Sequence, residues 1–146
     1  MLYHLQSDFR QKYSTDTCLI YLLDYLRTNN AKGLYTGMIM LDLQKAFDTV
    51  DHNILCSKLN VMGVQSVDWF ESYLTDRVQF VSVNSTISEP MNVSCGVSQG
   101  SIMGSLLFFT YVNDMSISID GDCKLILYAD DSAILYIHIK ILILYV

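Results

Sequence analysis

The run Leu125-Ile126-Leu127-Tyr128-Ala129-Asp130-Asp131-Ser132-Ala133-Ile134-Leu135-Tyr136 sets two adjacent carboxylates between two apolar, β-prone segments. That pattern predicts a hairpin with acid at its tip. Like charges in a partly dry turn repel or raise each other's pKa, so the arrangement is costly unless a cation occupies it. Asp42 lies in a second apolar strand pattern, Tyr35 to Leu43, and adds a third carboxylate if the two strands pair. Such a trio suits hard divalent cations, above all Mg2+. Two of them about 3.5–4 Å apart clamp the attacking and departing oxygens of a phosphoryl transfer. Asp42 and Asp130 are the candidate bridging ligands and Asp131 the third acid. The competing reading of an Asp-Asp pair is a solvated turn.

At 146 residues, 51% of them apolar and 16% charged, the chain fits one domain with a packed core. A formal net charge of -6 with nine Lys plus Arg is poor for gripping nucleic acid, whose affinity comes largely from phosphate neutralisation. Metal ions at the acidic cluster offset part of that repulsion. Cys18, Cys56, Cys95 and Cys123 are scattered without metal-ligand spacing and read as four buried, reduced thiols. The N-terminus lacks a basic region followed by an apolar run, so secretion is not expected, and the triplets at Asn84 and Asn92 read as ordinary turn and strand residues. The tail, residues 138–146, is apolar but interrupted by His138 and Lys140, and it is too short to span a bilayer.

Ser14-Thr15-Asp16 can cap a helix through Leu19, Leu22, Leu23 and Leu26 that ends near Asn29-Asn30 or Gly33. Tyr35 to Leu43 reads as a largely buried strand, Ile54 to Met62 as a helix stopped by Gly63, and Ser66 as the cap of a short helix through Trp69 and Leu74. Arg77 to Val83 and Met91 to Cys95 form a hairpin around a turn containing Asn84, Ser85 and Thr86, and an apolar helix follows from about Ile102 to Met115. Asp120-Gly121-Asp122 turns the chain into the acidic hairpin. This order suits an α+β fold, a sheet with helices on one face. Asp48 and Asp51 read as a helix-start pair, Asp114 as a polar residue near a helix end, and His52 as a first-turn polar residue or a base.

Leu41-Asp42-Leu43-Gln44-Lys45-Ala46-Phe47-Asp48-Thr49-Val50-Asp51-His52 closely resembles the first palm motif of reverse transcriptases from non-LTR retrotransposons. Residues 95–108, Cys95-Gly96-Val97-Ser98-Gln99-Gly100-Ser101 onward, resemble the second, and Tyr128-Ala129-Asp130-Asp131 the third. Phe9 to Thr15 resembles a segment at the fingers end, and Trp69 to Leu74 the segment between the first two palm motifs. Three motifs in the right order make a strong signal. The resemblance implies a palm-like antiparallel sheet (about 35–137), a fingers remnant (about 1–34) and no thumb. It implies RNA-directed DNA polymerisation on an RNA template and DNA primer with deoxynucleoside triphosphates and two Mg2+ ions, Mn2+ being the alternative. Asp42, Asp130 and Asp131 become the catalytic carboxylates and the Leu43 carbonyl a metal contact. Phe47 takes the position beneath the incoming sugar, where it disfavours a 2′-hydroxyl by clash. Gln99 and Gly100 support the templating base pair, and Tyr128 packs under the primer terminus. Read as residues alone, Phe47 is a core aromatic at the strand end, Gln99-Gly100 equally a plain turn and Tyr128 a cross-strand partner, while Arg10 and Lys12 are phosphate contacts or ordinary exposed cations.

The chain departs from that pattern where Ser98 and Ser105 stand in place of common prolines, removing two φ restraints. The expectation is a truncated or degenerate copy, nuclear or cytoplasmic. The alternative is a noncatalytic nucleic-acid or protein interaction fragment, prone to self-association through exposed apolar surface. A template-independent Mg2+-dependent phosphoryl-transfer enzyme is a third reading, which leaves the second motif unexplained.

Overall fold

The computed structural model describes residues 3–7, 13–119, 121 and 123–138. The expected segment Phe9 to Lys12, with its cations Arg10 and Lys12, and the tail beyond His138 lie outside these residues, as do Asp120 and Asp122. The chain divides into two compact units, one formed by Lys45–Val112 and the other by Leu2–Gln44 with Asn113–Val146.

In the second of these units, helix α1 (Thr15–Ala31) starts at a reciprocal capping box. The Ser14 hydroxyl accepts from the Thr17 amide at 3.3 Å, and the Ser14 amide donates to the Thr17 hydroxyl at 2.8 Å. Strands β1 (Tyr35–Asp42), β6 (Cys123–Tyr128) and β7 (Asp131–His138) form an antiparallel sheet in the order β1-β7-β6. Cys18, Leu22 and Tyr25 of α1 pack against Ile126, Ala133 and Leu135, with Leu5 completing the cluster. The outer edge of β6 is met by the N-terminal segment, where the Leu127 amide donates to the Leu5 carbonyl at 3.1 Å and the Ser7 amide to the Leu127 carbonyl at 2.9 Å. Lys124 donates to the Tyr21 hydroxyl at 3.1 Å and lies 4.3 Å over the Tyr25 ring. That hydrogen bond holds the ammonium pKa above its ordinary value, while burial pushes the Tyr3 phenol up.

Two expectations, one about this unit and one about the cysteines of both units, need correction. Strand β1 is exposed at every residue but Thr36, rather than largely buried. It is the outer strand of the sheet among the described residues, so apolar composition made the strand without covering it. The cysteines are free, but Cys95 is exposed and the other three half-buried.

The Lys45–Val112 unit holds helices α2 (His52–Val61), α3 (Val67–Leu74) and α4 (Ile102–Val112). Helix α2 packs against both α3 and α4, burying Leu55, Leu59, Leu74, Leu107 and Phe108. The Asp51 carboxylate caps α2 by accepting from the Asn53 and Ile54 amides at 2.8 and 3.0 Å. Ser66 occupies the N-cap of α3 without a side-chain bond, because its ψ of 47° is not the extended backbone that aims a capping hydroxyl. The expected hairpin is present in two pieces. Strands β2 (Val78–Gln79) and β5 (Met91–Asn92) pair, as do β3 (Ser82–Val83) and β4 (Thr86–Ile87). Pro90, lacking an amide, stands where the ladder breaks. The tip is Asn84-Ser85, both at positive φ, and Thr86 belongs to the strand. Helix α4 stops at Val112, short of the expected Met115, and a 3-10 turn (Asn113–Ser118) carries Asp114. Asn and Asp compete for backbone hydrogen bonds and end helices readily.

Candidate active site

The two acidic segments meet. β1 and β7 pair antiparallel in a register that sets Asp42 opposite Asp131, and β6 and β7 pair so that Tyr128 also faces Asp131. Directly opposite residues share a sheet face, so Asp42, Asp131 and Tyr128 stand side by side at one end of the sheet. This is the face that α1 covers further along, at Ile126, Ala133 and Leu135. Asp130 and Ala129 form the two-residue turn between β6 and β7. Ala129 has φ 53°, a left-handed conformation that usually calls for glycine. The Tyr128 hydroxyl accepts from the Thr15 hydroxyl at 2.8 Å, fixing the ring's polar end. Asp42 and Asp131 are exposed and Asp130 half-exposed, so their carboxylates are open to solvent and to ions.

Among the described residues, no three His, Cys, Asp or Glu side chains converge as a metal-holding group. The structure brings Asp42 and Asp131 to facing positions and leaves Asp130 beside them at the tip, without closing a cage. This donor set fits Mg2+, which takes one or two carboxylates and leaves its other positions to water and substrate phosphates. Two like charges directly opposite each other destabilise a sheet on their own, and a cation reverses the sign of that interaction.

Phe47, Gln99 and Gly100 belong to the Lys45–Val112 unit. Phe47 stacks on the buried Phe108 ring with centroids 4.5 Å apart and planes at 24°. It is therefore anchored as a core aromatic while remaining half-exposed. The segment from Cys95 to Ser101 is held to the turn after β1 by backbone bonds, Gly96 amide to Val50 carbonyl and Val97 amide to Phe47 carbonyl, both 2.8 Å. Gly96 is required there: its φ is 89°, and a Cβ would lie 2.8 Å from the Asp48 carbonyl oxygen. His52 Nε2 lies 2.8 Å from the Gly96 carbonyl oxygen, so the residue weighed as a base instead ties this loop to α2. Gln99 and Gly100 are exposed, and Gly100 has φ 82° with open space where a side chain would project. The loop borders a cleft of about 580 Å³ lined by Lys45, Asp48, Arg77, Gln79, Asn92 and Gln99 among others.

The family model of reverse transcriptase (RNA-dependent DNA polymerase) matches residues 2–144. The chain belongs to the reverse transcriptase family. Relatives of this family member include a probable RNA-directed DNA polymerase from transposon X-element of Drosophila melanogaster, 33% identical over 90% of the chain. A second, from transposon BS of the same fly, is 32% identical over 90% of the chain. The mobile element jockey polymerase of Drosophila funebris is 28% identical over 89%. The chain spans 15% of the length of each of these relatives. The resemblance to reverse transcriptases of non-LTR retrotransposons therefore stands, and the mixed helix and antiparallel-sheet architecture agrees with it. No helix among the described residues of this reverse transcriptase domain is long and apolar enough to cross a membrane. Arg77 is the residue that sequence reasoning passed over. It was read as the start of a strand, yet it lines the cleft and binds Ser98, and a signal was present: it is the only Lys or Arg between Lys58 and Lys124.

Proposed function

We propose that this reverse transcriptase domain contributes the polymerising centre of an RNA-directed DNA polymerase. In it Asp42, Asp130 and Asp131, with the Leu43 carbonyl, hold two Mg2+ ions, and Mn2+ can substitute. The observation that carries this reading is the β1–β7 register, which sets Asp42 opposite Asp131 beside the Asp130 tip. When bound there, the ions supply charge stabilisation to the attacking 3′-oxygen of the primer and to the departing phosphate oxygen. The chain's own residues do the positioning. Phe47, braced on Phe108, presents a fixed ring edge beneath the sugar of the incoming deoxynucleotide and excludes a 2′-hydroxyl by clash. Gln99, with a donor and an acceptor, and Gly100, with no side chain, lie against the templating base pair. Tyr128, tethered through its hydroxyl, packs its ring under the primer terminus. In this reading residues 35–137 are palm-like and 1–34 derive from fingers.

The test is Mg2+-dependent primer extension on an RNA template by the full chain and by Asp130→Asn. Extension that falls at least about a hundredfold in the variant supports the assignment, given the cost of disturbing a metal site. A folded wild-type chain that does not extend primers defeats it for the isolated polypeptide. The exposure of Ile39 and Met40, 59% and 71%, favours one second reading, a noncatalytic nucleic-acid or protein interaction fragment that associates with itself or a partner through this apolar edge. Association unchanged by the Asp130→Asn substitution, with no extension by either protein, is its signature.

A further inference from the structure

The turn that carries Gln99 has little regular structure to hold it. Backbone bonds fasten the loop as far as Val97. Beyond that point, the Ser101 hydroxyl donates to the Ser98 carbonyl at 2.9 Å, the Ser101 amide donates to the same carbonyl at 3.3 Å, and the Gly104 amide donates to the Ser101 hydroxyl at 2.8 Å. Ser98 is thus the knot on which the start of α4 is tied. Its own hydroxyl accepts from Arg77 Nη2 at 3.0 Å. The guanidinium is itself held, with its central carbon 5.0 Å over the Tyr73 ring of α3. Asp76, at φ 54°, turns the chain sharply out of α3 so that Arg77 faces the cleft on whose border Gln99 lies.

We infer that Arg77 is a positioning residue: clamped on Tyr73, it holds Ser98 and so fixes the Ser98–Ser101 turn that presents Gln99 and Gly100. Serine at position 98 leaves φ free, and the Arg77 bond restrains from outside what the backbone does not restrain from within. Arginine suits the task because its planar head stacks on an aromatic face while its edge donates in a fixed direction. The tether itself stands on the geometry, and its consequence for nucleotide handling rests on the polymerase reading above.

The experiment is residue-resolved hydrogen exchange in the full chain, read at the Ser101 and Gly104 amides, for wild type, Arg77→Ala, Ser98→Ala and the double variant. Removing one charge-assisted hydrogen bond predicts exchange about tenfold faster at both amides in either single variant. The double variant is no faster than the singles, because both substitutions cut the same link. Arg77→Lys, which keeps a donor, recovers part of the protection. Loss in Arg77→Ala that Ser98→Ala does not share, or effects that multiply in the double variant, overturn the inference and assign Arg77 to packing on Tyr73 alone. Where wild type extends primers, Arg77→Ala raises the deoxynucleotide concentration for half-maximal rate about tenfold with a smaller change in maximal rate, and adds little to Gln99→Ala. Coupled exchange in a chain that does not polymerise counts against the polymerase reading and leaves the tether in place.

Discussion

Ala129 sits at φ 53° in the first position of a two-residue hairpin turn, where an L side chain meets the following carbonyl at a cost of about 1–2 kcal/mol. Such strain persists only where the surrounding structure over-determines it, and here Tyr128 and Asp131 are locked opposite each other on either side. Glycine at a strand position ordinarily costs about 0.5–1 kcal/mol relative to alanine. Ala129→Gly is therefore expected to leave urea stability unchanged or raise it by up to about 1 kcal/mol, and a loss larger than that would show the turn to be unstrained. The facing carboxylates give a prediction of opposite sign with and without cation. In chelator, Asp42→Asn relieves a cross-strand like-charge contact and gains up to about 1 kcal/mol. In Mg2+ at a hundred times its dissociation constant, wild type gains about 2.7 kcal/mol that the variant lacks. Thermal melts in chelator and in graded Mg2+ read both arms, and a variant stabilised by Mg2+ as strongly as wild type would remove Asp42 from the ligand set.

At the scale of elements, helix α1 and strand β6 are joined through Lys124, Tyr21 and Tyr25. The bond to the Tyr21 hydroxyl raises the Lys124 pKa above 10.5, and burial raises that of Tyr3 above 10.0. Both groups hold their protons more tightly in the folded chain than in the unfolded one. Their stabilisation is complete below those ordinary values and is lost as pH climbs through the raised ones. The urea midpoint is thus expected to fall above about pH 10, less steeply in Lys124→Met. Equal slopes for the two proteins would show that the ammonium contributes nothing to holding α1. The nested hairpins behave differently. Pro90 breaks the ladder between β2–β5 and β3–β4, and Ser88 compensates by exchanging bonds with Val81: the Ser88 amide donates to the Val81 carbonyl and the Val81 amide donates to the Ser88 hydroxyl, both at 2.9 Å.

At the scale of the molecule, the sequence by itself determined the kinds and order of the elements. Apolar β-prone runs, helix-period leucines and the caps at Ser14 and Asp51 are local signals whose physics acts within a few residues. It also determined the family, because Asp42, Gln99-Gly100 and Asp130-Asp131 stand within long ordered motifs rather than alone. The exposure of β1 was not legible, since apolar composition fixes a strand's propensity while burial depends on which elements lie beside it. Nor was the role of His52, decided by where Gly96 comes to rest 44 residues away. Only tertiary structure set Asp42 opposite Asp131, because strand register is chosen by pairing along the whole of β1 and β7, and a shift of one residue would turn the carboxylates to opposite faces. Only tertiary structure joined Arg77 to Ser98, a hydrogen bond across 21 residues that the lone cation hinted at and the fold of the loop made.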